Sequence, residues 1–344
     1  FNPWTTEKRR AFYDMAAGFI EDGKPAYETL EILYKRWTQK KDQRAKNIEM
    51  TLLAMRGKDG RAKSFAEALA LWLPPIEAMA IHAGERAGNL AQGLRMAHRL
   101  ASVKSEITGA LYGELVYPGF LLLMLFALLY MLNIAILPVF EEISPRPMWP
   151  TQARFIAVLG DNIFLIIGGI VAFITAVVVA FRVTAPRMVG GVRDFLDQYI
   201  APWSIHRQVT SSIVLTSFAA FLKAGIPLTE ILQSLSKIAT PWERHFFDII
   251  RSRMRRGLSD AEAMGVHLFD EETRWEISIY GTTSQFATAL ESIATRLAKK
   301  TLSKIKSSAS MVRTLIMFMV AGMVIMIYGS FFSVIMSARS VLSS

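Results

Sequence analysis

Cysteine is absent from the 344 residues of this chain. Its absence excludes disulfide bonds, zinc sites built on thiolates and catalysis by a cysteine nucleophile. The five histidines, at positions 82, 98, 206, 245 and 267, do not fall into a zinc-binding spacing such as His-Glu-x-x-His. No Ser-His-Asp arrangement and no catalytic pair of carboxylates can be read from the sequence. These absences predict a protein without a metal site.

A functional phosphate-binding loop is also missing. The segment GKDGRAKS at 57–64 places Lys63 and Ser64 at the right distance from Gly57. However, Ala62 stands where that loop needs glycine, and a helical pattern precedes it instead of a buried strand. The sequence therefore predicts no nucleotide site, no cofactor and no enzyme, and any ATP chemistry has to come from a partner.

Charge is absent from three apolar runs, which contain no Asp, Glu, Lys, Arg or His: 115–140, 162–181 and 314–336. Each run has about 20 residues or more, and at a rise of 1.5 Å per residue a helix of that length crosses a hydrocarbon core of about 30 Å. Ion pathways normally need ionisable groups inside the membrane. A small-molecule channel or transporter is therefore the less favoured alternative. For a third alternative, a membrane-anchored enzyme with a helical catalytic domain, the sequence offers no set of candidate catalytic residues.

Basic residues are distributed unevenly around these runs. The 39 lysines and arginines number 18 before the first run and 18 between the second and third, against two between the first and second and one after the third. The positive-inside rule predicts that both charged segments lie in the cytoplasm, with the short loop and the C-terminus in the periplasm. Topology thus accounts for most of the net charge of +10, and no nucleic acid partner is predicted.

One short pattern occurs twice, as FIEDGKPAYETL at 19–30 and FLKAGIPLTEIL at 221–232. Gly23 and Gly225 are predicted to end a helix in the left-handed conformation, which costs glycine little. Pro25 and Pro227 follow two residues later, where a new helix can begin without an amide hydrogen. The pattern predicts a tight corner between two helices in each copy.

The two copies continue in parallel. KSFAEAL at 63–69 matches LSDAEAM at 258–264, and both have Ser and Glu at the spacing of a capping box. Each copy closes with a long helical pattern, at 90–112 and 286–310, that leads towards an apolar run. Five or six amphipathic helices per copy predict an antiparallel bundle.

The predicted fold is all-α, with two homologous cytoplasmic helical bundles and three transmembrane helices. The regions are an N-terminal cytoplasmic bundle (1–112), a transmembrane helix (113–140), a periplasmic loop (141–160), a second transmembrane helix (161–182), a C-terminal cytoplasmic bundle that repeats the first (183–312), a third transmembrane helix (313–337) and a periplasmic tail (338–344).

With these features the chain resembles the inner-membrane platform protein family of type IV pili and type II secretion (GspF/PilC type). The Gly-x-Pro corners carry the resemblance together with AGERAGNL at 83–90, which is similar to the family's Gly-Glu-x-x-Gly-x-Leu segment, and YPGFLL at 117–122. The second copy departs from that segment, because Thr282 stands in place of the acidic residue. This divergence, together with the compact N-terminal domain, makes the chain similar to the type IVb or plasmid-encoded pilus branch of the family.

The resemblance implies a platform that couples a cytoplasmic pilus or secretion ATPase to the insertion of prepilin or pseudopilin subunits into a fibre. It also implies inner-membrane alignment-complex proteins, further copies of the chain and the lipid bilayer as partners. The location implied is the bacterial inner membrane, with multiple crossings.

Several residues are singled out on these grounds. Glu85 either contacts a partner or caps the helix that starts near Gly88. The basic run at 251–256 either ends a helix or contacts an acidic partner. The candidate interaction residues are Glu85, Arg86, Asn89, Arg253, Arg255 and Arg256. The predicted structural corners are Gly23, Pro25, Gly84, Gly88, Pro118, Gly225 and Pro227. Close packing of membrane helices is predicted at Gly168, Gly169, Gly322 and Gly329.

Overall fold

The structure, a computed structural model, describes residues 4–57, 61–143, 145–281, 283 and 285–342. Within these residues it consists of helices and turns, with no β-strand, so the predicted all-α fold is confirmed. The chain divides into two units, one made of residues 1–109 and 184–302 and the other of residues 110–183 and 303–344.

Six helices form the N-terminal part of the chain: α1 (Thr6–Glu21), α2 (Ala26–Gln39), α3 (Arg44–Arg56), α4 (Phe65–Leu69), α5 (Pro75–Arg86) and α6 (Leu90–Met131). A π-helical turn follows at 132–136, and three helices then lead to the end of the second apolar run: α7 (Leu137–Ile143), α8 (Thr151–Asp161) and α9 (Ile163–Thr184). Seven helices complete the described chain: α10 (Gly191–Tyr199), α11 (Trp203–Lys223), α12 (Leu228–Ile238), α13 (Pro241–Arg255), α14 (Asp260–Ala263), α15 (Glu271–Tyr280) and α16 (Phe286–Leu342).

Among the described residues, three helices are long and apolar enough to cross a membrane, namely α6, α9 and α16. The three predicted spans are therefore confirmed by length and composition. As predicted, α6 and α16 each combine a charged first part and an apolar second part in one uninterrupted helix.

The two glycine corners have the local geometry that the sequence pattern requires. Gly23 has φ of 84° and Gly225 has φ of 80°, both in the left-handed region. In both corners the glycine amide donates to the carbonyl three residues back, and the next amide donates to the carbonyl five residues back. These two bonds satisfy carbonyls at the helix end. Pro25 and Pro227 each lie one residue before the following helix.

Pro118 is different, because the corner predicted there is not found. The residue lies inside α6, which runs on to Met131. Proline has no amide hydrogen to donate to the carbonyl four residues earlier, but the remaining bonds of a long helix continue on both sides. The Tyr-Pro pair thus marks a position within the first membrane helix and not its beginning.

In the first unit, the N-terminal and C-terminal segments share one hydrophobic core. Its fully buried side chains include Phe12, Leu30, Ile81, Phe218, Leu232 and Phe247. Both predicted capping boxes are confirmed, Ser64 with Glu67 at α4 and Ser259 with Glu262 at α14. The helices α1 to α6 and α11 to α16 both run through a very short fourth helix to a very long sixth helix. The homology of the two bundles and their boundaries stay predictions.

The second unit has its own buried cluster. Phe140 and Trp149 pack edge to face with ring centroids 5.7 Å apart, and Ile156 and Val334 lie in the same cluster. Ile156 belongs to α8, which occupies the second half of the predicted loop 141–160. The predicted loop therefore contains a helix. The sequence analysis missed it because the three prolines before it indicated only a turn.

The four glycines predicted for membrane packing do not contact another helix backbone within the described part of the chain. A Cβ atom added at Gly168, Gly169 or Gly322 would meet no heavy atom within 4 Å, and one at Gly329 would lie 3.8 Å from Gln152 Oε1. Packing between copies of the chain stays a prediction for these positions.

Candidate interaction site

The segment 83–90 joins α5 to α6, and its residues have separate structural tasks. At Gly84 the two helices touch backbone to backbone, because an added Cβ would lie 2.5 Å from Gly93 Cα. Gly88 has φ of 70° and ends α5, where its amide donates to the Glu85 carbonyl at 3.1 Å. Asn89 then caps α6, as its Oδ1 accepts from the Gln92 amide at 3.1 Å.

Glu85 caps a helix, but it is not the helix that the sequence suggested. Its carboxylate accepts from the Ser64 hydroxyl at 2.7 Å and from the Phe65 amide at 2.9 Å. Both donors belong to the start of α4, whose N-terminal amides have no partners within the helix. The predicted cap on the helix near Gly88 is therefore wrong, because the end of α5 lies beside the N-terminus of α4.

The variant Glu85→Ala tests this structural role. We expect it to lower the free energy of unfolding by about 1–2 kcal/mol, because the start of α4 loses a charged acceptor. Thermal unfolding of the full chain, followed by tryptophan fluorescence, measures the loss. A normal melting temperature combined with weakened partner binding would show instead that Glu85 acts at an interface.

Arg86 points away from this junction and pairs with Glu230 on α12. Both side chains are largely exposed. The pair lies at the edge of an open cleft of about 870 Å³ between α5, α12 and α13. The cleft therefore joins the N-terminal and C-terminal segments inside the first unit.

The cleft is basic. Lys237, Arg251 and Arg255 line it, and no described carboxylate forms an ion pair with any of them. Glu230, the acidic residue of the lining, is already paired with Arg86. Arg251 and Arg255 are four residues apart on α13, so they project from the same face of the helix. The unpaired positive charge makes this cleft a candidate interaction site for an acidic surface.

The other candidate residues lie elsewhere. Arg253 donates to the Gly265 carbonyl at 2.9 Å and so holds the loop after α14. Arg256 Nε donates to the Ser252 carbonyl at 3.4 Å, near the end of its own helix. Of the six candidates, the structure brings Arg86 and Arg255 into the cleft. Sequence reasoning missed Lys237 and Arg251, although the spacing of Arg251 and Arg255 was a signal for a shared face.

A buried ionic cluster was also missed. Arg9 binds both carboxylate oxygens of Glu77, at 2.8 and 2.9 Å, and Tyr13 donates its hydroxyl to the same carboxylate. Glu77 is 1% exposed. Burial and the charge of Glu77 raise the pKa of Tyr13, which keeps its hydroxyl neutral and able to donate. The spacing of Arg9 and Tyr13, four apart on the apolar face of α1, was the available signal.

A second buried ion pair joins Arg193 and Asp197 on α10, with 3.0 Å between Nε and Oδ2. The Arg193 guanidinium also lies 4.9 Å from the ring centre of Trp242. Burial raises the pKa of Asp197, while burial and the Arg193 charge lower the pKa of His206 to about 4. His206 is thus neutral at neutral pH.

Across the described residues there is no cluster of His, Asp and Glu that could hold a metal ion.

Two comparisons with known proteins show what this chain is similar to. Residues 214–334 match the family model described as "Type II secretion system (T2SS), protein F". The chain is also 21% identical over 330 residues to "Toxin coregulated pilus biosynthesis protein E" of Vibrio cholerae serotype O1 (strain ATCC 39315 / El Tor Inaba N16961). That alignment covers 95% of this chain and 96% of the relative.

The three apolar helices and the match to a secretion-system domain support a multi-pass protein of the inner membrane that is similar to components of the pilus and secretion machinery. The two matches confirm the resemblance to the platform protein family of type IV pili and type II secretion. The orientation of the termini and the assignment to a branch of the family stay predictions.

Proposed function

We propose that this chain is the platform that couples a cytoplasmic assembly ATPase to the insertion of pilin or pseudopilin subunits into a growing fibre. The platform itself performs no chemistry. Its charged segments lie in the cytoplasm, where the ATPase acts, and its C-terminus lies in the periplasm. Alignment-complex proteins and further copies of the chain complete the assembly in the membrane.

The observation that carries the proposal is the basic cleft. Lys237, Arg251 and Arg255 offer three unpaired cations in an open concave surface. Such a surface favours association with an acidic partner surface, through both steering and complementarity. The partner proposed for it is an acidic surface of the assembly ATPase.

The long helices supply the mechanical part of the proposal. α6 and α16 each join a charged stretch of the first unit to an apolar stretch without interruption. A continuous helix transmits displacement along its axis because its backbone hydrogen bonds keep it stiff. A force applied at the cleft could thus act on subunits held in the membrane.

Charge reversal in the cleft tests the coupling. In the variant Arg251→Glu/Arg255→Glu, we expect co-purification with the assembly ATPase of the same system to fall about tenfold or more, since like charges would face each other. Assembly of the fibre should fall with it. The matched control is Arg36→Glu/Lys40→Glu, which reverses two exposed charges at the end of α2, one in its last turn and one directly after it.

The control variant should bind the ATPase as the native chain does, and both variants should melt at the native temperature. Raised ionic strength should weaken the native complex, because it screens exposed charges. Equal ATPase binding by the native chain and by both variants would remove the cleft from the coupling.

A further inference from the structure

The polarity of α10 is reversed relative to a helix in water. Two of its three charged residues, Arg193 and Asp197, face inward and are 0% and 2% exposed. Three of its apolar residues face outward, with Val192 68%, Phe195 56% and Tyr199 66% exposed, while Leu196 is half-buried. A helix on a water-exposed surface normally buries its apolar stripe and exposes its charges. Contact with water is therefore unfavourable for the outward face of α10, and we expect lipid or protein to cover it.

The inward face determines how α10 is turned about its axis. The Arg193 guanidinium lies over the ring of Trp242 on α13 and 3.4 Å from Nδ1 of His206 on α11, and these contacts attach this face to the rest of the first unit. Asp197, buried on the same face, pairs with Arg193 within the helix. Turning the apolar face inward would expose Trp242 and separate the guanidinium from the ring. The apolar residues are therefore held outward by the packing of the helix.

A third face of α10 is polar. Asp194 and Gln198 are exposed and lie between the inward and the apolar faces. At 100° per residue, they project about 60–160° away from Val192, Phe195 and Tyr199. One helix thus presents a protein-bound face, a polar face and an apolar face. This is the arrangement expected of a helix that lies along a membrane surface.

The position of α10 in the chain identifies the occupant of the apolar face. Residues 185–190 separate it from the end of α9, the most apolar candidate span. Six residues reach about 20 Å when fully extended, so α10 stays close to the membrane end of α9. Arg182 lies in the last turn of α9 and Arg187 within this connection, and cations there are attracted to anionic lipid headgroups.

We propose that α10 lies in the membrane interface, with Val192, Phe195 and Tyr199 inserted among the lipids and with Asp194 and Gln198 in water. Tyrosine suits this depth, because its ring is apolar and its hydroxyl reaches the headgroups. The helix thereby attaches the C-terminal segment to the bilayer surface in addition to the three spans. The inference requires a membrane at α9 but not the coupling to an ATPase.

The absence of cysteine allows a direct test, since a single introduced cysteine is the sole labelling site. The variants V192C, F195C and Y199C probe the apolar face, and D194C and Q198C are matched controls on the same helix. Each full chain is labelled with the environment-sensitive fluorophore NBD and reconstituted at one copy per lipid nanodisc. Quenching is measured with iodide in water and with lipids that carry a nitroxide near the headgroup.

Labels on the apolar face should emit at shorter wavelength and be quenched several-fold more by the nitroxide lipid than labels at 194 and 198. Iodide should show the opposite order. Equal iodide quenching on both faces would overturn the proposal. Protection from both quenchers would overturn it as well, because protein would then cover the face. If the labels are protected from both quenchers only when each disc holds several copies, a second copy of the chain covers the apolar face, and this too would overturn the proposal.

Discussion

Replacing Arg9 with methionine is expected to lower the free energy of unfolding by about 3–5 kcal/mol, because it leaves the buried carboxylate of Glu77 without its cation. Arg9 donates twice to Glu77 and once to the Trp4 carbonyl, at 2.9 Å, and all of these contacts are buried. For a unit of this size, the expected decrease in melting temperature is about 6–20 °C. Tryptophan fluorescence of the purified full chain during heating measures it.

Two further variants separate the burial of charge from the loss of a contact. Arg95→Met removes exposed ion pairs with Asp14 and Glu21, also on α1, and should change the melting temperature far less. The triple variant R9M/E77L/Y13F replaces the whole cluster with apolar groups and should recover much of the lost stability. An R9M chain as stable as the R95M chain would contradict the buried cluster.

Gly84→Ala is expected to lower the free energy of unfolding by about 2–3 kcal/mol, because a methyl group cannot fit between α5 and α6. The added Cβ would lie 2.5 Å from Gly93 Cα and 2.8 Å from the Asn89 carbonyl oxygen. These atoms belong to the backbone, so relief requires the two helices to separate. The same junction holds the carboxylate of Glu85 against α4, and the variant should weaken that cap as well.

The matched control is Gly18→Ala in α1, where an added Cβ would meet no heavy atom within 4 Å. Alanine is the better helix former by about 0.5–1 kcal/mol, so this variant should be neutral or slightly more stable. The difference in melting temperature between the two variants isolates the contact of α5 with α6. If both variants melted alike, the close approach of Gly84 to Gly93 would be wrong.

These predictions concern tertiary contacts that no local pattern contains. The glycine corners were readable because Gly23 and Gly225 require a left-handed backbone, and that requirement is local. Gly84 was predicted as a corner as well, yet its φ is not in the left-handed region and its role is a close approach of two helices. A glycine is equally suited to both tasks, so the residue type alone could not separate them.

In the candidate site, too, the local sequence predicted some features and only the tertiary packing determined the others. The basic run at 251–256 was visible as four arginines, but one face of α13 contributes Arg251 and Arg255 to the cleft while Arg253 holds a loop. Lys237 joins them from another helix, α12. Only the packing of α12 and α13 against α5 determines which charges converge.

The sequence by itself determined the helical class, the three apolar crossings, the glycine corners and the capping boxes, because each depends on residue type and spacing within a few turns of chain. The tertiary structure alone decided which helix Glu85 caps, which cations share a cleft, how Arg9 meets Glu77 and which way α10 faces. Those features depend on the packing of helices distant in sequence. Periodicity states that a helix has an apolar face, but only its neighbours decide whether protein or lipid covers it.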